Sequence, residues 1–527
     1  MQKLKVWLPL LFALIMIVGM VIGYRLYPNT NTNGFFKTRK ATRVQEVIDL
    51  VNMKYVDSVN MDSLSEDAIN GLLSHLDPHS YFIPADDREE MNEDLQGNFE
   101  GIGIEFQIFS DTVNVTSVLA NGPSDKAGLQ VGDKLIKVND SLVAGNGIDI
   151  ERIKKLLRGP GASQVTVTLL RNGQSLRVPI TRGTIPLPAV DAAYMIDPHT
   201  GFIRINKFSR TTYGEFMQAM EKLQPKGLQK LILDLRGNGG GIVDEAVSMA
   251  DEFLDDDKLI VYTQGTRSPR REYRAQKPGV FEQGKLILLV DEGTASASEI
   301  LTGALQDWDR ATIVGRRTFG KGLVQEPFQL SDGSELRLTI ARYYTPLGRS
   351  IQKPYNKGRD AYNDEVMQRF HDGEVIHGDT SSTHNGPVFK TKKGKLVYGG
   401  GGITPDIFMG FDTSTLSKSI TSLYVNGTLN NFVYIYYVQH IDAFRSFKDP
   451  GQFATGFHEE NKIWTDLVRY AEKDSVDISS IPAKDKTVLQ NRIKALFARL
   501  VWRTEGYFEI ANSNDPVVKR ALEEINK

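Results

Sequence analysis

The sequence contains no cysteine. That excludes a thiolate nucleophile, thiolate metal ligands and a lipid attached through sulfur, and an oxidising compartment would be tolerated without disulfides. Net charge is also nearly absent. The 63 Lys and Arg stand against 65 Asp and Glu, a formal charge of −2. That balance offers no electrostatic case for nucleic acid or an acidic polymer as partner. Histidine is scarce at eight, and His371, His377 and His384 follow one another at spacings of six and seven. No metal signature has those spacings, so they read as solvated loop residues. Long uncharged runs are scarce too. One, from Trp7 to Tyr24, follows Lys3 and Lys5 and stops before Arg25. Its eighteen residues are long for a signal-peptide core and just enough to span a bilayer. Positive charge ahead of it favours a cytoplasmic N-terminus. Met20-Val-Ile-Gly-Tyr24 is too bulky for a cleavage site. Residues 1–25 are therefore expected to be an uncleaved signal anchor and 26–40 a polar tether, with the rest outside the cytoplasm. Leu423–Phe447 is too interrupted by Asn and Gln to span a membrane.

What is present concentrates in residues 285–325. Lys285–Val290 is a short apolar run of the kind found in strands buried on both faces. A turn follows at Asp291–Ala295, and Ala297, Ile300, Leu301, Ala304, Leu305 and Trp308 then share one helical face. Ser296 thus stands at a strand-to-helix turn. Unpaired N–H groups and the positive end of a helix dipole meet there, as an oxyanion would require. Ser296-Ala-Ser-Glu299 equally fits a capping box, and Ser298 is a rival hydroxyl that periodicity does not separate from Ser296. A second short strand, Ala311–Gly315, leads to Lys321 between two glycines and to Gln325. Lysine acts as a general base only where burial or nearby positive charge lowers its pKa. Arg316, Arg317 and an apolar pocket are the expected sources.

Thr294–Ile300, Gly303–Asp307, Val314-Gly315 and Thr318–Gly322 with Gln325 together resemble the C-terminal processing (tail-specific) peptidases, serine proteases with a Ser-Lys dyad. The resemblance implies Ser296 as nucleophile, Lys321 as base and Gln325 as the residue that orients it. Upstream, the strand Lys230–Leu235 runs into Arg236-Gly-Asn-Gly-Gly-Gly241 and an amphipathic helix. Such glycines could cradle a phosphate, but the Lys-Ser/Thr of a P-loop and the dinucleotide spacing are both missing. The family has a similar segment that supplies an oxyanion-hole amide. Aligned on Asp234, Leu235, Arg236 and Asn238, that donor is Gly240, with Ala297 as the second and Gly239 as the neighbouring register. No metal or organic cofactor is implied.

Residues 99–184 are β-rich, with strands expected at 112–119, 134–138, 164–171 and 175–180 and a helix at 148–157. Asn121–Gly128, Val131–Ile136 and Val138-Asn139 look like a PDZ domain. The resemblance makes Gly101, Ile102, Gly103 and Ile104 the loop that takes a peptide carboxylate. The mechanism suits them, since successive backbone N–H groups can face a carboxylate while the next strand edge accepts an extended peptide.

With 527 residues several domains are expected. The implied class is multidomain α/β plus α, a crotonase/ClpP-like peptidase core carrying an inserted PDZ domain between helical N- and C-terminal regions. The expected boundaries are 41–98 for the N-terminal helical domain, 99–184 for the PDZ domain, and 185–410 for the core with a polar, loop-like insert at 357–398. A C-terminal helical domain at 411–527 has an apolar stripe, Leu489 to Val501, that serves either the core or a homo-oligomer face. Asp77 and His79, in Leu76-Asp-Pro-His-Ser80, read as turn chemistry rather than an acid–base pair. The function expected is an endopeptidase of the bacterial cell envelope, periplasmic and held to the inner membrane by residues 7–24, that takes proteins by their free C-termini. Two rivals come from other classes. One is an inactive or partner-activated periplasmic PDZ scaffold, which loss of Ser, Lys or Gln would favour. The other is a crotonase-like acyl enzyme, which would have no use for an exported PDZ module.

Overall fold

The computed structural model describes residues 2–26, 42–109, 111–145, 147, 149–378, 386–412 and 417–527. The tether at 26–40 lies almost wholly outside them, and so does His384. The chain divides into two units, Met1–Leu72 and Leu73–Lys527. The first holds the helices Gln2–Leu26 and Arg43–Lys54 and all but the end of Met61–Leu73. Side chains are described for Trp7 and for residues 9–21 of the first helix. Among the described residues no helix is long and apolar enough to cross a membrane. Arg43–Lys54 is started by Thr42, whose hydroxyl accepts from Gln45 N–H, and buries none of its residues.

The second unit is built on a six-stranded sheet in the order 190–195, 200–205, 230–234, 285–290, 312–315 and 407–408. The first pair is antiparallel and the rest parallel, as expected for apolar runs that carry no polar alternation. Helices Thr212–Leu223, Val243–Asp251 and Ala297–Asp307 bury Phe216, Met249, Ile300 and Leu301 in one cluster with Leu231, Leu233, Leu286 and Leu288 of the sheet. Ile232, Ile287 and Leu289 point to the other face and meet Val517, Val518, Ala521 and Ile525 of the helix Pro516–Ile525. The end of the expected C-terminal domain is thus a layer of the core.

A second sheet runs 81–83, 335–344, 259–264, 271–274, with 323–329 paired on 335–344. The segment expected to be helical at 41–98 therefore also contributes a strand, Tyr81–Ile83, opposite Glu335–Arg337. The PDZ region hangs on a two-stranded neck in which Asn98–Gly101 pairs with Gly183–Pro186. Its sheet has the order 104–109, 112–118, 134–138, 164–171, 174–181, so Ile104–Phe109 is an edge strand. The helix Ile150–Leu157 buries Ile153 and Leu157 against it.

The polar insert also departs from expectation. It holds the helix Arg359–His371 and the hairpin Val388–Lys390/Leu396–Tyr398. Of the helix only Tyr362 and Arg369 are buried, which is why its sequence showed no apolar stripe. In the C-terminal region Leu489, Ile493 and Phe497 lie in an internal cluster with Phe444, Phe453 and Trp464. The stripe that might have served an oligomer is core. Its helix, Ala483–Asn512, is broken by non-helical backbone at Trp502 and Arg503.

Candidate active site

The parallel strands 230–234 and 285–290 are neighbours, so the turns that leave their C-terminal ends are brought together. Ser296 ends the second turn with φ 55° and ψ −116°. An ordinary helix-capping serine sits in the extended region. A side chain held at positive φ costs about 1–3 kcal/mol and persists only where its surroundings impose it. Gly240, from the first turn, packs on it: with φ +94°, a Cβ there would stand 2.8 Å from both Ser296 Cβ and Ala297 N. Glycine is required on both counts.

The rival hydroxyl is placed differently. Ser298 is fully buried, and its Oγ donates to the Asn238 carbonyl at 3.0 Å. Ser296 instead borders a cavity of about 850 Å³ that is also lined by Gly239, Gly240, Lys321, Gln325 and Arg337.

Two buried groups hold the serine turn and the lysine loop together. Glu299 Oε2 accepts from Ser296 N–H at 2.9 Å and from Lys321 N–H at 2.8 Å. Its Oε1 accepts from Gly320 N–H at 2.8 Å and from the Thr318 hydroxyl at 2.5 Å. The Tyr343 hydroxyl donates to the Ser296 carbonyl at 3.1 Å and lies closer still to that of Lys321. Glu299 was visible in sequence only as half of a capping box. That its carboxylate also receives the lysine loop has no local signal, and Tyr343 had none. Burial pushes the Glu299 carboxyl up to about 7, opposed by the four bonds to its ionised form.

Lys321 is lowered from the ordinary lysine value, first by burial and then by the positive charge of Arg337, while Glu299 and Asp77 oppose. Arg316 and Arg317 do not supply this. Arg316 pairs with Glu292 at 2.7 Å and Arg317 with Glu374 at 2.6 Å, so both are engaged by carboxylates of their own. Arg369 braces that loop from the insert, donating to the carbonyls of Thr318 at 2.9 Å and Phe319 at 3.2 Å.

Gln325 Nε2 donates to Thr339 Oγ1 at 3.2 Å, which donates to Asp77 Oδ1 at 2.9 Å. Asp77 also accepts from His79 N–H at 2.9 Å and the Ser80 hydroxyl at 2.6 Å. It makes the turn anticipated at Asp-Pro, and in addition anchors Gln325. Burial and then Lys321 hold His79 at about 4, so it is neutral at physiological pH. Among the described residues no group of three or more His, Asp or Glu is placed to hold a metal.

The expected oxyanion donors differ in availability. Ala297 N–H makes no hydrogen bond among the described residues, whereas Gly240 N–H donates to Asn238 Oδ1 at 2.9 Å. Gly239, one residue before, is exposed to the cavity, and its amide has no partner among the described residues.

Residues 199–358 match the profile of peptidase family S41, and 115–171 match that of a PDZ domain. A protein of Staphylococcus epidermidis described as "Probable CtpA-like serine protease" is 33% identical over 361 residues, 66% of this chain and 72% of that protein. The chain belongs to peptidase family S41. A Staphylococcus aureus protein of the same description is 36% identical over 358 residues, 66% of this chain and 71% of its own. The solved photosystem II D1 C-terminal processing protease is 30% identical, with 59% of this chain and 84% of that one covered at a TM-score of 0.35. Residues 420–503 match a family of unknown function.

This S41 peptidase is a serine-type enzyme with a PDZ domain. In that domain Gly101 ends the neck strand, Gly103 turns at φ +75°, and Ile104 opens the edge strand. All four expected loop residues border one groove of about 610 Å³ between that strand and the helix Ile150–Leu157.

Proposed function

We propose that this C-terminal processing peptidase is an endopeptidase with Ser296 as nucleophile and Lys321 as general base. The reading is carried by one observation: Ser296, held at φ 55° at a helix start, opens on the same cavity as Lys321. A neutral Lys321 amine takes the Ser296 proton, and the alkoxide attacks a peptide carbonyl. The oxyanion is met by Ala297 N–H and an amide of the 239–240 turn. That amide is Gly240 if its bond to Asn238 yields, and Gly239 otherwise. Lys321 returns the proton to the leaving amine, and water then releases the acyl group. Gln325, tied through Thr339 to Asp77, keeps the lysine amine in line. Gly101, Ile102, Gly103 and Ile104 take the substrate's terminal carboxylate, so proteins with free C-termini are selected. The uncharged run at 7–24, preceded by Lys3 and Lys5, supports anchoring at the inner membrane with the enzyme in the periplasm.

The test is cleavage of an unstructured protein with a free apolar C-terminus by residues 42–527. Ser296→Ala and Lys321→Ala are expected to lose at least about a thousandfold in kcat/KM. Ser298→Ala, which loses one buried hydrogen bond worth about 1–3 kcal/mol, is expected to cut. A dead Ser298→Ala that is folded, beside an active Ser296→Ala, would overturn the assignment. A silent wild type would favour the partner-activated scaffold.

A further inference from the structure

The C-terminal region packs on the PDZ sheet. Tyr434 donates from its hydroxyl to the Val115 carbonyl at 3.1 Å, and its ring lies 5.1 Å from that of Phe109. The Arg503 guanidinium donates to the Val118 carbonyl at 3.0 Å. This packing brings Asn430, Asn431 and Arg499 to the rim of the PDZ groove, opposite the helix Ile150–Leu157. All three lie within 420–503, the segment that matches a family of unknown function.

A peptide that pairs antiparallel with Ile104–Phe109, its carboxylate at Gly101–Ile104, alternates its side chains. The last residue falls on the side of Ile104, and the penultimate and fourth from the end fall on the side of Glu105 and Gln107. Arg499 stands on that second side, 3.7 Å from Glu105. This is an ion pair but too long for a hydrogen bond, and both side chains are about half exposed, at 51% and 56%. A substrate carboxylate would give Arg499 the bonded partner Glu105 does not provide. The side-chain amides of Asn430 and Asn431 have no partner among the described residues and can donate beside it. Of the other cations of the groove, Lys154 pairs with Glu151 at 2.7 Å and Arg158 with Glu93 at 2.9 Å, so Arg499 is the one left to meet an acidic tail.

We propose that the C-terminal helical region is the second wall of the tail-binding groove, where Arg499 selects substrates with Asp or Glu at the penultimate or fourth-from-last position. The proposal rests on the PDZ reading above, and the test separates the two. Fluorescent decapeptides ending in apolar residues, with Glu, Gln or Lys at the penultimate or the fourth-from-last position, are titrated by anisotropy into the Ser296→Ala enzyme. The Glu tail is expected to bind about five- to tenfold tighter than the Lys tail at one of the two positions. Arg499→Gln abolishes that preference while leaving the Gln tail within twofold. Glu105→Gln, which removes the competing carboxylate, widens the preference by more in the presence of Arg499 than in the Arg499→Gln background, where only the loss of Glu105's own charge acts; an Arg499 with only a structural role would give equal widening in both. Equal binding of Glu and Lys tails at both positions, or a preference that survives in Arg499→Gln, overturns the proposal. If amidated peptides bind as well as free ones, it is the carboxylate reading of the PDZ loop that fails.

Discussion

Lys321 is the residue whose chemistry depends most on its surroundings. A lysine at its ordinary value would be protonated at neutral pH and useless as a base; burial and Arg337 lower it. With Lys321 as the proposed base the neutral form is the active one, so kcat/KM should rise with pH through a midpoint below the ordinary lysine range. Arg337→Gln removes the cation that disfavours the charged form, so the midpoint should move to higher pH. A pH–rate profile of both enzymes checks this, and an unmoved midpoint counts against Arg337. At this scale the sequence pointed to Ser296, Lys321 and Gln325, which the structure brings to one cavity, but not to their environment. Arg316 and Arg317 are neighbours of Lys321 in sequence, and a β-strand pairing places the more distant Arg337 nearer. Ser296 and Ser298 were indistinguishable by period, because burial and φ are tertiary properties.

The serine turn and the lysine loop are separate elements joined at Glu299. Four donors converge on its two oxygens, a need only an ionised carboxylate meets. Its raised pKa sets stability against activity. The stability from this group is complete below its ordinary value of 4.5 and is lost as pH climbs through about 7, whereas the ionised clamp forms only above about 7. Glu299→Gln would turn an NH₂ toward two of the donors. It should cost roughly 2–4 kcal/mol at pH 8, where the wild-type carboxyl is ionised, and at least tenfold in kcat. Urea unfolding at pH 5 and 8 should show the wild type losing stability relative to the variant as pH rises. A constant difference would exclude Glu299 as the titrating group. Strands and the amphipathic helices of the core were legible here because their periods are local. The helix Arg359–His371 was not, since it buries only Tyr362 and Arg369 and does so to brace a loop some fifty residues away.

Across the whole of Leu73–Lys527, the order of peptidase core and PDZ region could be anticipated from sequence. The strand at 81–83 and the packing of the final helix on the core sheet could not, because each completes a sheet or layer formed elsewhere in the chain. The broken helix Ala483–Asn512 has a further consequence. Before the break it reaches the PDZ region. After it, Glu505 meets Lys222 at 2.8 Å, and Asn512 donates to the Tyr194 hydroxyl at 2.8 Å, both on the peptidase core. A neck of two strands fixes an axis about which a domain can still swing, and a support away from that axis removes the remaining rotation. The PDZ region is mounted like a door with its latch engaged. Tyr434→Phe with Arg503→Ala should release the latch and broaden the distance distribution between spin labels on the PDZ region and the core, read by pulsed electron resonance. An unchanged distribution would mean the neck alone is rigid. With no native cysteine in the chain, two introduced ones would carry the labels without competition.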